Sequence, residues 1–357
     1  MAPAKTVSAN DVPMHGNGFY SPNSALQRSA MLSALPLLAF AAAGAAQAGQ
    51  SQRPFTALEF GSAHGNNSNN SHQPFATILE SHQLPTNREI QLIFNDRPAN
   101  DSHALSTNLS TMTWPAAAGN TVDVAFSLLA LHHLDRVTPV PREGPIPTHE
   151  VLQAELRAQA YADLLAFLKH RAREIVPGGG LVLSLVRQEL GPNGEEMVNY
   201  AAPVNACRSV WIEMLQQGVL NPAVANVFEV LAYNRTMADV QRTLAESAVG
   251  EKWTVEEVFE RCVLHPAMEE VRIRKNKSPE EDEAHTTWYA KTVVDWLMAV
   301  VAGYFVKALK DGMGIEEPKV VDALLKEWVD RTTVKFLESH RDEEVPCWFV
   351  YARLNRK

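Results

Sequence analysis

The sequence predicts an α/β fold, a parallel sheet with helices on both faces and a mostly helical cap, and three observations carry the prediction. Continuously apolar runs recur at residues 55–60, 90–94, 121–131 and 181–186, short enough to be buried strands rather than helices. Helical patterns lie between them, so the order reads strand, helix, strand, strand, helix, strand, as a parallel sheet requires. Beyond about residue 200 the periodicity turns helical until a last strand-like run at 346–354. The expected division is a ligand-binding core of residues 1–203 and 346–357, with residues 204–345 forming the cap over it.

Taken in order, residues 1–15 have no periodicity. Residues 16–27 are rich in turns and in hydrogen-bonding side chains, among them Tyr20, Asn23, Ser24 and Gln27. Asn23 or Ser24 can cap the helix that follows, and the same polar groups can form a lid pointing into a site. The Ala-rich stretch 30–48 has some signal-like character, but it begins late, behind Asp11, and Pro36 interrupts it. It reads as a helix packed on the core, and no membrane span is expected from it.

The stretch Leu58-Glu59-Phe60-Gly61-Ser62-Ala63-His64-Gly65-Asn66-Asn67 ends the first strand in a tight turn. Gly61 and Gly65 let the backbone pass close to a ligand, and Glu59 sits at the carboxyl end of the strand, where open α/β sheets bind nucleotides. A helix at 74–84 leads to the second strand, which ends in Asn95-Asp96. A carboxylate there can accept hydrogen bonds from both hydroxyls of a ribose. The chain turns at Arg97-Pro98, the third strand runs into His132-His133, and four prolines make 139–147 an irregular loop. Residues 149–176 carry Leu152, Leu156, Tyr161, Leu164, Leu165 and Leu168 on one helical face, closed by Pro177-Gly178-Gly179-Gly180.

In the cap, helices are expected at 204–217, 236–247, 255–262 and 285–310, with 272–283 an exposed charged linker. Trp288, Trp296, Tyr304 and Phe305 lie near helical spacing, suited to core packing or to lining a pocket.

The chain has 32 basic and 41 acidic residues, a formal charge of −9 and no dense Lys/Arg block, which argues against nucleic acid as a partner. Cys207, Cys262 and Cys347 are far apart and fit neither a disulfide framework nor a zinc site, so no metal and a reducing compartment are expected. Asn-x-Ser/Thr sequons at Asn66, Asn69 and Asn100 fall in or beside the ligand loops, where a glycan would block binding.

Four blocks resemble the SABATH family of S-adenosylmethionine-dependent methyltransferases. Tyr20-Ser21-Pro22-Asn23-Ser24-Ala25-Leu26-Gln27 is similar to the family's amino-terminal lid, and the stretch 58–67 to its cofactor loop. Phe94-Asn95-Asp96-Arg97-Pro98-Ala99-Asn100-Asp101 is similar to its Asn-Asp-Leu-Pro-Gly-Asn-Asp block, the most specific of the four. Phe126-Ser127-Leu128-Leu129-Ala130-Leu131-His132-His133 resembles its Tyr-Ser-Leu-x-Trp-Leu-Ser-x block. The resemblance spans residues 16–190 and implies the Rossmann-like sheet of a class I methyltransferase, S-adenosyl-L-methionine as cofactor and a homodimer with a cytoplasmic location.

Carried over position by position, it implies that Tyr20, Ser24, Glu59, Gly61, Asn67, Asp96 and Arg97 hold the cofactor, with Asn108 and Leu109 at the adenine loop. Tyr20, Gln27, Leu129, Ala130 and Tyr233 would then face the acceptor. Two departures stand out: Glu59 replaces Asp, and Ala130 stands where plant members have a Trp whose N–H helps hold the acceptor carboxylate. A small carboxylic acid held by Gln27 is ionised at neutral pH and needs no base, whereas a phenol would draw on His132 or His133. A non-catalytic binder of the cofactor is a further alternative. A nicotinamide oxidoreductase is disfavoured because the loop lacks Gly-x-Gly-x-x-Gly.

Overall fold

A computed structural model of the chain describes residues 23–48, 53–62, 73–80, 89–96, 121–135, 148–190, 196–274 and 278–357. The chain begins with helices α1 (Ala25–Leu32) and α2 (Leu35–Ala48), then β1 (Phe55–Phe60), α3 (Gln73–Glu80), β2 (Ile90–Asn95) and β3 (Val122–Leu128). Next come α4 (His149–Glu174), β4 (Ile175–Val186) and a minimal hairpin, β5 (Glu189–Leu190) with β6 (Glu196–Met197). The second half holds α5 (Ala201–Gln216), α6 (Pro222–Ala225), α7 (Met237–Leu244), α8 (Ser247–Gly250), β7 (Trp253–Leu264), α9 (Ala267–Arg274), α10 (Pro279–Met313), α11 (Pro318–His340) and β8 (Pro346–Arg356).

Six strands form one sheet in the order β2-β1-β3-β4-β8-β7. The first four run parallel, and β8 alone runs against them, antiparallel to both β4 and β7. Alternate residues enter different cores because both faces are covered. Ala57, Val124 and Phe126 pack with α2 and the late helices, whereas Leu58, Ala125 and Leu183 pack with Leu164 and Leu168 of α4. This two-sided burial is why the strands read as unbroken apolar runs.

Helix α2 crosses β4 at very close range, since a Cβ on Gly180 would lie 2.6 Å from the Ala41 Cβ and one on Gly178 2.4 Å from the Ala48 Cβ. Small residues on the helix meet glycines on the strand. The glycine run expected to close α4 therefore belongs to β4, which begins directly after Glu174.

The helix expected at 255–262 is corrected to strand: those residues lie within β7, an edge strand paired along β8. The pairing register shifts between Val255 and Glu257, and this bulge breaks the alternation of apolar residues into a spacing that imitates a helix. Thus a strand from the stretch read as cap completes the core sheet. The linker expected at 272–283 is also largely helical. Arg272 and Arg274 lie in the last turn of α9, and Glu280, Glu281 and Asp282 in the first turn of α10, where each charge opposes the helix dipole. Ser278 caps α10 by accepting from the Glu281 N–H at 3.2 Å, with Pro279 in the first turn.

Helix α11 was not anticipated, although Val321, Leu325, Trp328 and Phe336 mark one buried face at helical spacing. By length and apolar content α10 could cross a membrane, but Tyr289, Val293, Val294, Leu297 and Phe305 are fully covered by the rest of the chain.

Candidate active site

After β1 the chain runs to β2 on one side of it and returns to β3 on the other, so a crevice opens at the carboxyl ends of β1 and β3, the place where open α/β sheets bind ligands. Glu59 is buried near the end of β1. Gly61 follows with φ +82°, and a Cβ there would lie 2.3 Å from the Ala130 Cβ. Only glycine satisfies both the left-handed backbone and this contact. The Gly61 N–H donates to the Asn95 carbonyl at 2.8 Å and the Ser62 hydroxyl to the same oxygen at 3.3 Å, which ties the end of β1 to Asp96 at the end of β2.

On the other wall, the Ser127 hydroxyl donates to the Phe60 carbonyl at 3.1 Å. Leu129 takes φ 66° while its N–H donates to the Ser184 carbonyl at 3.0 Å, turning the chain out of the sheet. A branched, non-glycine residue in that conformation is uncommon and is held by its surroundings. The turn sets Ala130 against Gly61 and leads into His132 and His133, whose rings lie 4.1 Å apart. Arg235 holds the turn from below, donating to the Leu131 carbonyl at 2.6 Å and the Ala160 carbonyl at 2.7 Å. Burial lowers its pKa to about 10, which leaves it charged at neutral pH.

Helix α10 closes the crevice from the cap. The Trp296 indole N–H donates to Gln27 Oε1 at 3.1 Å, and two turns further on the Tyr304 hydroxyl lies 3.4 Å from His133 Nδ1. One helix thus touches both the amino-terminal helix and the end of β3.

The structure therefore gathers Glu59, Gly61, Asp96, Leu129, Ala130, His132 and His133 at one end of the sheet, with Gln27 joined through Trp296. Ser24 is fully buried at the start of α1 and receives the Arg28 guanidinium at 3.4 Å; its side chain makes no hydrogen bond into the helix turn. Tyr233 joins this end of the sheet through its backbone, its N–H donating to the His132 carbonyl at 2.8 Å. Its hydroxyl accepts from Arg157 at 2.8 Å and donates to Asp239 at 3.2 Å, so it serves the packing of α4 on α7. Tyr20, Asn67, Arg97, Asn108 and Leu109 lie outside the described residues. Ser62 and Arg235 were not anticipated. Both reveal themselves only through the backbone carbonyls they bind, which no side-chain pattern records.

This fold is that of a class I methyltransferase: it superposes on the solved structure "Loganic acid methyltransferase with SAH" with a TM-score of 0.70 at 19% identity, covering 97% of this chain and 99% of that one. Residues 147–343 match the family model described as SAM dependent carboxyl methyltransferase. The chain is 65% identical to O-methyltransferase acrG of Aspergillus aculeatus, over 100% of both chains. It is 44% identical to Methyltransferase LUC1 of a Fusarium species, over 99% of both. The chain belongs to the family of S-adenosyl-L-methionine-dependent carboxyl methyltransferases, as the resemblance to the SABATH enzymes implied. It is an S-adenosyl-L-methionine-dependent O-methyltransferase, which removes the reading as a non-catalytic binder.

The residues in the crevice fit that cofactor. The carboxyls of Glu59 and Asp96 stand at neighbouring strand ends, on either side of the Gly61 turn. Two carboxylates suit a ligand that carries ribose hydroxyls, an ammonium and a sulfonium.

Proposed function

We propose that the enzyme methylates a carboxyl oxygen of a small organic acid. The observation that carries this reading is the span of α10 from Gln27 to His133. Its two contacts are eight residues apart, or about 12 Å along a helix, a width suited to a small molecule. Asp96 would hold the ribose, with Glu59 and Ser24 nearer the methionine end of the cofactor. Bound there, the cofactor supplies a methyl group on a sulfonium, already activated for displacement. The chain's own task is to align an acceptor oxygen with that methyl and exclude water. A carboxylate is ionised at neutral pH, so Gln27 need only hold one oxygen through its amide hydrogens. A homodimer in the cytoplasm belongs to the same reading.

The contact between Tyr304 and His133 favours one other reading, a phenol deprotonated by the histidine. The two separate in a screen of small carboxylic acids and phenols for S-adenosylhomocysteine release, followed by a pH profile of the best acceptor. A carboxylate acceptor gives a rate flat from about pH 6 to 9, and Gln27→Ala costs about 1 to 2 kcal/mol in kcat/KM. A rate that climbs through about pH 6.5 and collapses in His133→Gln, with indifference to Gln27→Ala, reverses the assignment to a phenol.

A further inference from the structure

Glutamine presents an oxygen on one side of its amide and two N–H groups on the other, so which side faces a ligand decides what the ligand must offer. At Gln27 that choice is settled by a neighbour. An indole N–H can only donate, and the Trp296 N–H lies 3.1 Å from the side-chain amide of Gln27, so the oxygen of that amide must face the indole. The amide hydrogens are then turned away from α10.

The indole itself is clamped. Trp296 is 5% exposed, with the Tyr200 ring edge-on at 5.2 Å and 90° and the His265 ring edge-on at 5.6 Å and 62°. Tyr200 holds φ 50° at the start of α5, and His265 Nδ1 accepts from the Ala267 N–H at 3.3 Å at the start of α9. The indole is thus fixed by the beginnings of two other helices, and swinging it aside would disturb three elements at once.

We propose that Trp296 is a positioning residue that sets the hydrogen-bond polarity of the acceptor site. By engaging the Gln27 oxygen it aims both amide hydrogens at the substrate, so the site takes a group that presents only acceptor oxygens, a carboxylate, and discriminates against the isosteric primary amide. This rests on the reading of Gln27 as an acceptor-site residue. It also gives the cap a part in specificity, through an indole that reaches the substrate only by way of another side chain.

The test uses the full-length enzyme with S-adenosylmethionine and the best-methylated acid from a panel containing loganic acid, indole-3-acetic acid and benzoic acid, with the matching primary amide as a competitor. Trp296→Phe keeps the ring packing and removes the N–H. It should raise KM for the acid about tenfold with kcat little changed, and shrink the preference for acid over amide to within about threefold. Cofactor affinity by calorimetry should not move, and the double variant Trp296→Phe/Gln27→Ala should be no worse than Gln27→Ala alone. Additive losses, or an unchanged KM and an unchanged acid-over-amide preference in Trp296→Phe, overturn the proposal.

Should Trp296→Phe fail to fold, Gln27→Glu decides, because a glutamate still gives the indole an oxygen while offering the substrate no N–H. It should keep the melting temperature and cofactor affinity of the parent and lose methylation of the acid; retained methylation overturns the proposal. If Gln27→Ala leaves KM untouched, or no acid in the panel is methylated, the acceptor reading itself falls and takes the proposal with it. A raised KM in Gln27→Ala with none in Trp296→Phe overturns the proposal and leaves that acceptor reading standing.

Discussion

At the scale of single residues, Gly61 is the position where the site is least forgiving. A left-handed φ of +82° and a Cβ that would lie 2.3 Å from Ala130 act together, and the obstacle is a methyl anchored on another strand turn, not the end of a flexible side chain. Gly61→Ala should therefore part the carboxyl ends of β1 and β3. We expect it to cost about 1 to 3 kcal/mol of stability and to abolish measurable S-adenosylmethionine binding. Urea denaturation and calorimetric titration check the two halves separately, and normal affinity would show that the crevice tolerates the extra methyl. Ala130 gains a meaning from the same contact. The missing Trp could be read from the sequence as a lost donor; the structure adds that Ala130 is packed against Gly61, so a large residue at 130 would have to project away from it. Tyr233 shows the opposite lesson. Its residue type suits an acceptor site, but its hydroxyl is also engaged by Arg157, 76 positions away, and by Asp239, six positions on.

At the scale of elements, the late helices hold one aromatic cluster together. Trp328 of α11 is 1% exposed, stacks on Phe305 of α10 at 4.6 Å and meets Trp211 of α5 at 5.6 Å. Its indole N–H donates to the Cys207 carbonyl at 3.3 Å, linking α11 to α5. Trp328→Ala should destabilise the protein by about 3 to 5 kcal/mol, because it opens a cavity and removes a buried hydrogen bond. The fall in urea midpoint measures it. A loss below about 1 kcal/mol would mean that α11 packs independently of its neighbours. Helix α11 is legible in principle through Val321, Leu325, Trp328 and Phe336, but the charged residues between them mask the stripe. Strand β7 was not legible. Its spacing of Val255, Val258, Phe259 and Cys262 is that of a helix, and only the presence of β8 alongside makes the extended form the better choice.

At the scale of the whole molecule, acid should act through His265, which joins β7 to α9 and is 1% exposed. Burial lowers its pKa from 6.5 to about 4. The unfolded chain therefore takes up a proton below about pH 6.5 that the folded chain refuses until about pH 4, so stability falls as pH drops through that window. The loss attributable to this group is on the order of 3 kcal/mol across the whole window. His265→Asn, whose side-chain oxygen can still accept from the Ala267 N–H, should flatten the decline in melting temperature between pH 7 and 4.5. Parallel declines in parent and variant would rule His265 out as the cause. By itself the sequence determined the parallel core, the glycine turn after β1, the acid at the end of β2 and the family to which they belong, because each is written in a contiguous stretch whose local geometry is nearly forced. Only the tertiary structure decided that β7 is a strand, that β4 takes the glycines under α2, that Arg157 and Asp239 engage the Tyr233 hydroxyl, and that Trp296 fixes Gln27. Those outcomes depend on partners up to 269 residues away, and a hydrogen bond over that separation leaves no trace in local periodicity.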